Sequence, residues 1–371
     1  MKIKKSVLPL ILLVAAINVL IIAFPSVALQ GARDGLFLWF NNVLPGILPF
    51  VIGANVLMAL GVVKVLGVFL NPLMRFVFKL PGKACFPFAM GMISGYPVGA
   101  KIVCEMRQKG ELSKSDAQRL LAFTNNGGPL FILGAVGVGM FASPALGYLI
   151  LIAHYGVAVL IGFTLSLFAR KDRDVDHDES YKMLVVDKKQ PFGKVLGEAV
   201  KNAMETMVLI GGFMVLFSVV SVLLVRVGVL NILPESAYAE GVVKGLLEAA
   251  GGVAAISQEG ASALAAGIAV GIISFGGLSI MFQTLSFVSK TDLNQGLYVV
   301  AKVFHGFVSA VVVFLLYPFF AEAIEAQATQ ATFAPTITQT FISSTINFFA
   351  LLLGLGVLCL IFIFVKFFKR K

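Results

Sequence analysis

The chain has 371 residues, of which 58% are hydrophobic and only 13% charged, whereas soluble globular domains run at roughly 45–50% and about 25%. That pairing excludes a soluble fold and makes lipid the solvent for most of the chain. The formal net charge of +10 is not gathered into an arginine-rich, aromatic-interleaved stripe, which excludes nucleic acid as a partner; basic loops on the inner face of a bilayer account for it.

Lys2, Lys4 and Lys5 precede an apolar run over residues 7–24. Its length reaches the spanning threshold of about 18 residues and exceeds the ~7–15 of a signal-peptide core, so it predicts a retained first transmembrane helix. Residues 44–63 form a second run, and residues 66–78, flanked by Arg75 and Lys79, read as an interfacial helix. Residues 85–106 and 120–141 are apolar but interrupted, the first at Gly95, Tyr96, Pro97 and Gly99, the second at Asn125, Asn126, Gly127, Gly128 and Pro129. Residues 146–168 read as a plain spanning helix. A segment over 170–190 is dense in Lys, Arg, Asp and Glu and reads as a solvated linker. Beyond it come a run over 206–225, an interfacial or short helical piece over 242–255, and a stretch over 268–288 broken at Phe275, Gly276 and Gly277. A run over 297–320 contains His305 and Gly306, and the last run covers 341–365. Cys85, Cys104 and Cys359 lack disulfide or metal spacing and read as small core residues.

The order of parts repeats. It divides the chain into an N-terminal helix (1–30), a first repeat (31–169), a charged inner linker (170–190) and a second repeat (191–371). Gly91-Met92-Ile93-Ser94-Gly95 matches Gly271-Ile272-Ile273-Ser274-Phe275, 180 positions on. Lys64, Arg75, Lys79, Lys83, Lys101, Arg107, Lys109, Lys114 and Arg119 surround the first broken part; the second has Arg226, Lys244 and Lys290 beside Glu235, Glu240, Glu248, Glu259 and Asp292. Cytoplasmic loops carry the excess of Lys and Arg, so the two parts face opposite sides. The expected fold is an all-α polytopic membrane protein made of two inverted structural repeats with re-entrant hairpins and broken transmembrane helices. Seven crossings would leave the C-terminus outside, against the inward preference of Lys366, Lys369, Arg370 and Lys371; an extra crossing near 235–259 would remove that conflict.

Helix breaks at membrane depth expose backbone groups that hydrocarbon cannot satisfy, so they mark protein-lined or water-filled cavities. Half-helix N-termini there suit an anionic or polar ligand. Four breaks qualify: 95–99, 125–129, 275–277, and His305 with Gly306. They nominate Ser94, Gly95, Tyr96, Pro97, Gly99, Lys101, Thr124, Asn125, Asn126, Gly128, Ser274, Gly276, Gly277 and Ser279 as substrate-binding residues. Glycines there also serve close helix packing, the asparagines also serve to satisfy the broken backbone, and Lys101 also suits snorkelling to the interface. Glu248 and His305 are coupling or gating candidates, against a water-facing carboxylate and a satisfied buried imidazole. No phosphate-cradling loop, metal-spaced histidine cluster or nucleophile elbow is present, so neither catalysis, a metal nor a cofactor is expected.

Leu44-Pro45-Gly46-Ile47-Leu48-Pro49-Phe50, Ser94-Gly95-Tyr96-Pro97-Val98-Gly99-Ala100-Lys101 and Phe123-Thr124-Asn125-Asn126-Gly127-Gly128-Pro129-Leu130-Phe131-Ile132 resemble the signature stretches of the YlbJ-like sporulation integral membrane proteins. Gly276-Gly277-Leu278-Ser279 and Gln283 resemble that family's second half, both halves being similar to the nucleoside-recognition Gate domain. The resemblance covers roughly 35–365. It implies a transporter of dipicolinic acid in the outer forespore membrane, where a planar ring with two carboxylates would meet half-helix N-termini and amides. Gly127 and Gly128 stand where family members often carry small hydroxyl residues. The expectation is thus a carrier of a small organic anion by alternating access, with a nucleoside or other polar metabolite, or a non-transporting assembly factor, as alternatives. The lipid bilayer is its fixed partner; a homo-oligomer and a coupling proton or cation stay open.

Overall fold

The computed structural model describes residues 8–60, 70–169, 191–228 and 236–330. The basic termini, Lys64, the linker over 170–190, Glu235, the run over 341–365 and Cys359 lie outside the described residues. In chain order the helices are α1 (Leu8–Ala23), α2 (Pro25–Leu38), α3 (Leu44–Ala59), α4 (Cys85–Ile93), α5 (Val98–Gln108), α6 (Lys114–Thr124), α7 (Pro144–Leu167) and α8 (Phe192–Arg226). They continue with α9 (Ala237–Leu247), α10 (Ala249–Ser257), α11 (Ala263–Phe275), α12 (Gly277–Val288), α13 (Gln295–Leu316) and α14 (Ala321–Gln330). A π-helical stretch, Leu130–Met140, follows α6. No strand occurs among the described residues, as hydrocarbon demands of a chain that must satisfy its own backbone. Among the described residues four spans are long and apolar enough to cross a membrane, and up to six if each bent pair is one span. The chain is a multi-pass membrane protein.

The first expected helix, 7–24, is α1, and a bend follows it: residues 11–23 and 25–41 meet at 105°, because Pro25 has no N–H to continue the ladder and its ring excludes a helical approach. A second bend, of 113°, follows the expected interfacial piece, between Leu70–Val77 and Gly82–Ile93. Helices α2 and α3 lie along the 35-residue α8, much longer than the 206–225 read from the sequence. Trp39 Nε1 donates to the Met207 carbonyl at 2.9 Å and Asn55 Nδ2 to that of Ala199 at 3.1 Å, which pins this trio at two depths.

Two helical hairpins and two broken spans form the rest. Hairpin α4–α5 folds back at Ser94–Pro97, with Gly91 and Gly99 facing each other. Hairpin α9–α10 folds back at Glu248, with Gly245 and Gly252 facing each other. Residues 242–255 are therefore a tight hairpin and not an interfacial helix; the missing Cβ atoms let its arms touch backbone to backbone. Broken span α6 unwinds at Asn125–Pro129 before the π-helical stretch, and α11–α12 hinges at Gly276 (φ +92) and Gly277 (φ +68), a conformation glycine adopts without a Cβ penalty. The fourth expected break does not exist. His305 and Gly306 sit inside the continuous α13, where Gly306 lets α13 approach the Gly271 carbonyl of α11.

Second hairpin arms start at 98 and 249, breaks fall at 125 and 276, and the following spans start at 144 and 295; each pair is 151 apart. The 180-position match pairs a hairpin arm holding Gly91 with the first limb of a broken span holding Gly271, one element out of register. The apolar cores are shared between halves: Met281 and Val288 of α12 pack with residues of α4 to α6, and Ile132 and Leu146 pack with Ala265 and Val270 of α11. At one end of this interleaved body, outside the spans, Arg107 clasps Asp292 with Nε–Oδ1 at 2.9 Å and Nη2–Oδ2 at 2.8 Å. The guanidinium holds the Asp292 carboxyl at about 2, against an ordinary 3.8.

A Cβ on Gly91 would enter the Thr124 carbonyl, whereas Gly53 has open space around it. Gly91→Ala is expected to cost ~1–3 kcal/mol by overpacking and Gly53→Ala to leave stability unchanged, read from thermal unfolding in detergent. Because the folded-state pKa of Asp292 is depressed, its clasp stabilises above the ordinary carboxyl value and is lost as pH falls through about 2. The stability difference between the native chain and Asp292→Asn should be flat from pH 8 to 5 and shrink steadily below pH 4.

Candidate functional site

A cavity of about 60 Å³ lies where the two hairpin tips meet the broken spans. At one probe sphere of ~10–15 Å³ each, it holds a few waters, so a larger guest requires the hairpins to part. The first tip contributes Ser94, Gly95 and Tyr96, the first break Gly128, the second tip Glu248, and α12 contributes Ser279 and Gln283; Ile210 and Met214 of α8 help close it. Gly95 turns the tip at φ +80, and the Tyr96–Pro97 peptide is cis.

The polar lining is incompletely paired. The Ser94 Oγ and Tyr96 Oη atoms are buried with no partner, and a buried polar group left unpaired costs ~1–3 kcal/mol. Two such hydroxyls on residues that line one cavity leave hydrogen-bonding capacity beside it. Gln283 Nε2 donates to Ser279 Oγ at a loose 3.3 Å. Glu248 is the one charged side chain lining the cavity among the described residues. Its Oε1 accepts from Ala250 N–H at 3.0 Å and its Oε2 from Gly251 N–H at 2.6 Å, capping α10 where the helix dipole favours negative charge. The carboxylate already holds the amides that an anionic guest would use at that tip.

Behind the cavity wall runs a second, fully buried polar cluster. Lys302 Nζ donates to the Asn125 carbonyl at 2.9 Å and lies 3.1 Å from His305 Nδ1; His305 Nε2 lies 2.9 Å from the His154 carbonyl. His154 Nε2 accepts from Gly127 N–H at 2.9 Å, and His154 Nδ1 lies 2.7 Å from Ser274 Oγ. The two imidazoles stack with centroids 4.7 Å apart, and their positions differ by the same 151 that relates the repeated elements. Tyr155 Oη donates to the carbonyls of Gly127 and Met92, tying the first break to the first hairpin.

The nominated residues divide accordingly. Ser94, Gly95, Tyr96, Gly128, Ser279 and Glu248 line the cavity, while Pro97 caps the start of α5 beside it. Gly99 packs under the Thr124 carbonyl, and Thr124 Oγ1 bonds within its own helix to Leu120 O at 2.9 Å. Asn125 Nδ2 donates to Thr284 Oγ1 at 2.9 Å and to Tyr298 Oη at 2.6 Å; Asn126 Nδ2 donates to Phe123 O at 2.8 Å. Neither asparagine lines the cavity; both serve the unwound backbone, each keeping a buried Oδ1 without a partner. Lys101 is half-buried on α5 and does not line the cavity. Gly276 and Gly277 supply the hinge, and Ser274 and His305 belong to the histidine cluster. Sequence reasoning missed His154, Tyr155, Tyr298 and Lys302. Lys302 was legible as an ionisable residue inside an apolar run; His154 was lost because its run reads as a plain spanning helix.

A family model described as Gate, nucleoside recognition, matches residues 40–157. The sporulation integral membrane protein YlbJ of Bacillus subtilis strain 168 is 34% identical over 327 residues, covering 80% of this chain and 79% of that protein. No solved structure matches.

Because the Ser94 and Tyr96 hydroxyls are buried without a partner, Ser94→Ala with Tyr96→Phe should maintain or raise thermal stability while lowering solute flux about tenfold, the loss of roughly 1.4 kcal/mol of binding. Asn125→Ala, which strands Thr284 and Tyr298, should lower stability itself. Thermal unfolding and vesicle flux read the two effects separately.

Proposed function

This chain belongs to the YlbJ family of sporulation integral membrane proteins, and from that premise we propose that it is a carrier that moves a small polar organic solute across the membrane by alternating access. The observation that carries the proposal is the cavity between two helical hairpins and two broken spans, two of whose lining residues keep unpartnered hydroxyls. Irregular backbone at membrane depth is tolerated where it lines such a cavity, and a site at the junction of two repeats is where rocking of one repeat against the other exposes it to alternate sides. The recurrence of hairpin, broken span and span at a constant separation supports a two-repeat body, and the contrast in basic residues between its halves supports the inverted orientation.

For the solute, membership of a sporulation family supports a ring dicarboxylate of the dipicolinic acid kind, carried across the outer forespore membrane. Such a dianion meets Glu248 as a like charge and must take the Ala250 and Gly251 amides from it. The carboxylate and Gln283 equally favour a second reading, a neutral solute with hydroxyl and ring N–H donors, of which a nucleoside is the type; the match to the nucleoside-recognition model supports it.

Glu248→Gln separates them. For a dicarboxylate the substitution removes repulsion and frees an amide site, so dipicolinate flux into proteoliposomes is maintained or raised. For a nucleoside it removes an acceptor, and uridine flux falls about tenfold or more, as loss of a hydrogen bond to a charged group of ~1.5–3 kcal/mol requires. Absence of flux for both solutes in the native chain would leave a non-transporting assembly role and end the carrier reading.

A further inference from the structure

The lysine and histidine cluster behind the cavity is used by none of the chemistry above, yet it grips both helix breaks. Lys302 holds the Asn125 carbonyl and His154 the Gly127 amide of the first break, while Ser274, two residues before the Gly276 hinge, is bonded to His154. Donor and acceptor counting assigns the protons. A carbonyl only accepts, so His305 Nε2 carries its proton toward His154 O, leaving Nδ1 to accept from Lys302. An amide N–H only donates, so His154 Nε2 is bare and Nδ1 carries the proton toward Ser274. In this arrangement the neutral Lys302 amine uses both of its N–H donors, and a third, added with a proton, has no acceptor.

One added proton acts differently at each place. On His154 Nε2 it faces the Gly127 N–H and breaks that bond, on His305 Nδ1 it reverses the bond to the neutral Lys302 amine, and on Lys302 it makes a third N–H without an acceptor; in each case it leaves a buried positive charge. Nothing nearby neutralises it. Facing Lys302 are His305 and Tyr298 from its own helix and His154, next to Tyr155, from α7, while α6, α11 and α12 bring Asn125, Ser274 and Thr284 to the cluster. No carboxylate among the described residues lies within ion-pair distance of Lys302. Side chains of Lys302, His154 and His305 are 0–1% exposed, so the group is cut off from water in this conformation. An ionisable residue at this depth that lacks a counter-ion belongs to a proton or substrate path.

We propose that Lys302, His305 and His154 form a proton-binding site that couples proton entry to release of the two helix breaks, making this carrier a proton–solute symporter. The proposal rests on the carrier reading above. The path from site to cavity is short: His154 holds the Gly127 N–H, Tyr155 holds the Gly127 carbonyl together with the Met92 carbonyl of the first hairpin, and Gly128 lines the cavity. Protonation of His154 Nε2 breaks the grip on Gly127, the unwound segment moves with the hairpin, and the cavity widens for its guest. Loss of the proton restores the closed network.

The test uses the full chain in proteoliposomes with dipicolinate and, separately, uridine, under an imposed inside-alkaline pH gradient. The native chain should take up its solute about fivefold or more faster with the gradient than without it, a typical coupling magnitude, and solute addition alone should alkalinise the outside as read by a pH dye. Lys302→Met and His305→Gln should keep solute counterflow but lose both responses. Gradient-insensitive uptake with counterflow intact in the native chain overturns proton coupling and leaves the carrier standing. Variants that retain full gradient stimulation move the proton elsewhere and overturn this site. Should neither variant fold, the dye signal of the native chain decides. Should neither solute move at all, the carrier reading fails first, and a thermal stability that does not change between pH 5 and 8 overturns the proton site as well.

Discussion

Every part of this fold answers to one constraint: the bilayer interior supplies no water to satisfy an open backbone group. A chain that interrupts four helices at membrane depth must provide partners from within itself. The hairpins do so at their tips, with Glu248 capping the second and third amides of α10 and with Gly95 turning the other tip under the Gly128 backbone. The first broken span does so through Asn126 to the Phe123 carbonyl, His154 to the Gly127 amide and Lys302 to the Asn125 carbonyl. Among the polar atoms left without a partner are the Ser94 and Tyr96 hydroxyls, on residues that line the cavity, and the Asn125 and Asn126 Oδ1 atoms at the first break.

Glycine carries the second half of the design. Gly91 against Gly99 and Gly245 against Gly252 bring hairpin arms into backbone contact, and Gly277 packs against the Gly245 carbonyl at the foot of the second hairpin. In lipid, association of helices depends on such close approach, because burial of apolar surface gains nothing against hydrocarbon tails. These contacts place both tips at the same depth as both breaks. The shared apolar cores then lock the halves together, since α12 completes the packing of α4 to α6 while α7 completes that of α11.

Polar groups are graded by depth. Arg107 and Asp292, with Gln118 bonded to Asn294 at both its amide atoms, join the polar turns where solvent screens them and where titration lies far from neutrality. Deeper in, the histidine pair and Lys302 have no solvent and no carboxylate, so their protonation is tied to the hydrogen bonds they make. Polar side chains at the edge thus form a clasp between two turns, while those inside hold the backbone of the first break.

Composition and the lengths of the apolar runs determined that this chain is helical and spans a membrane, because hydropathy is a local property and the spanning length is set by the bilayer. The interruptions at 95–97, 125–129 and 276–277 were equally legible, since glycine, proline and paired asparagines act on their own backbone. What only tertiary structure decided is who answers whom. The register of the repeat depends on packing, which is why a local match at 180 positions misled and the separation of 151 emerged from the helix starts. Asn125 and Asn126 turned from the cavity because the unwound backbone claimed them. His154, 151 residues before His305, drew no notice within an apolar run until folding stacked the two rings 4.7 Å apart, because a contact between distant segments leaves no mark in either segment alone.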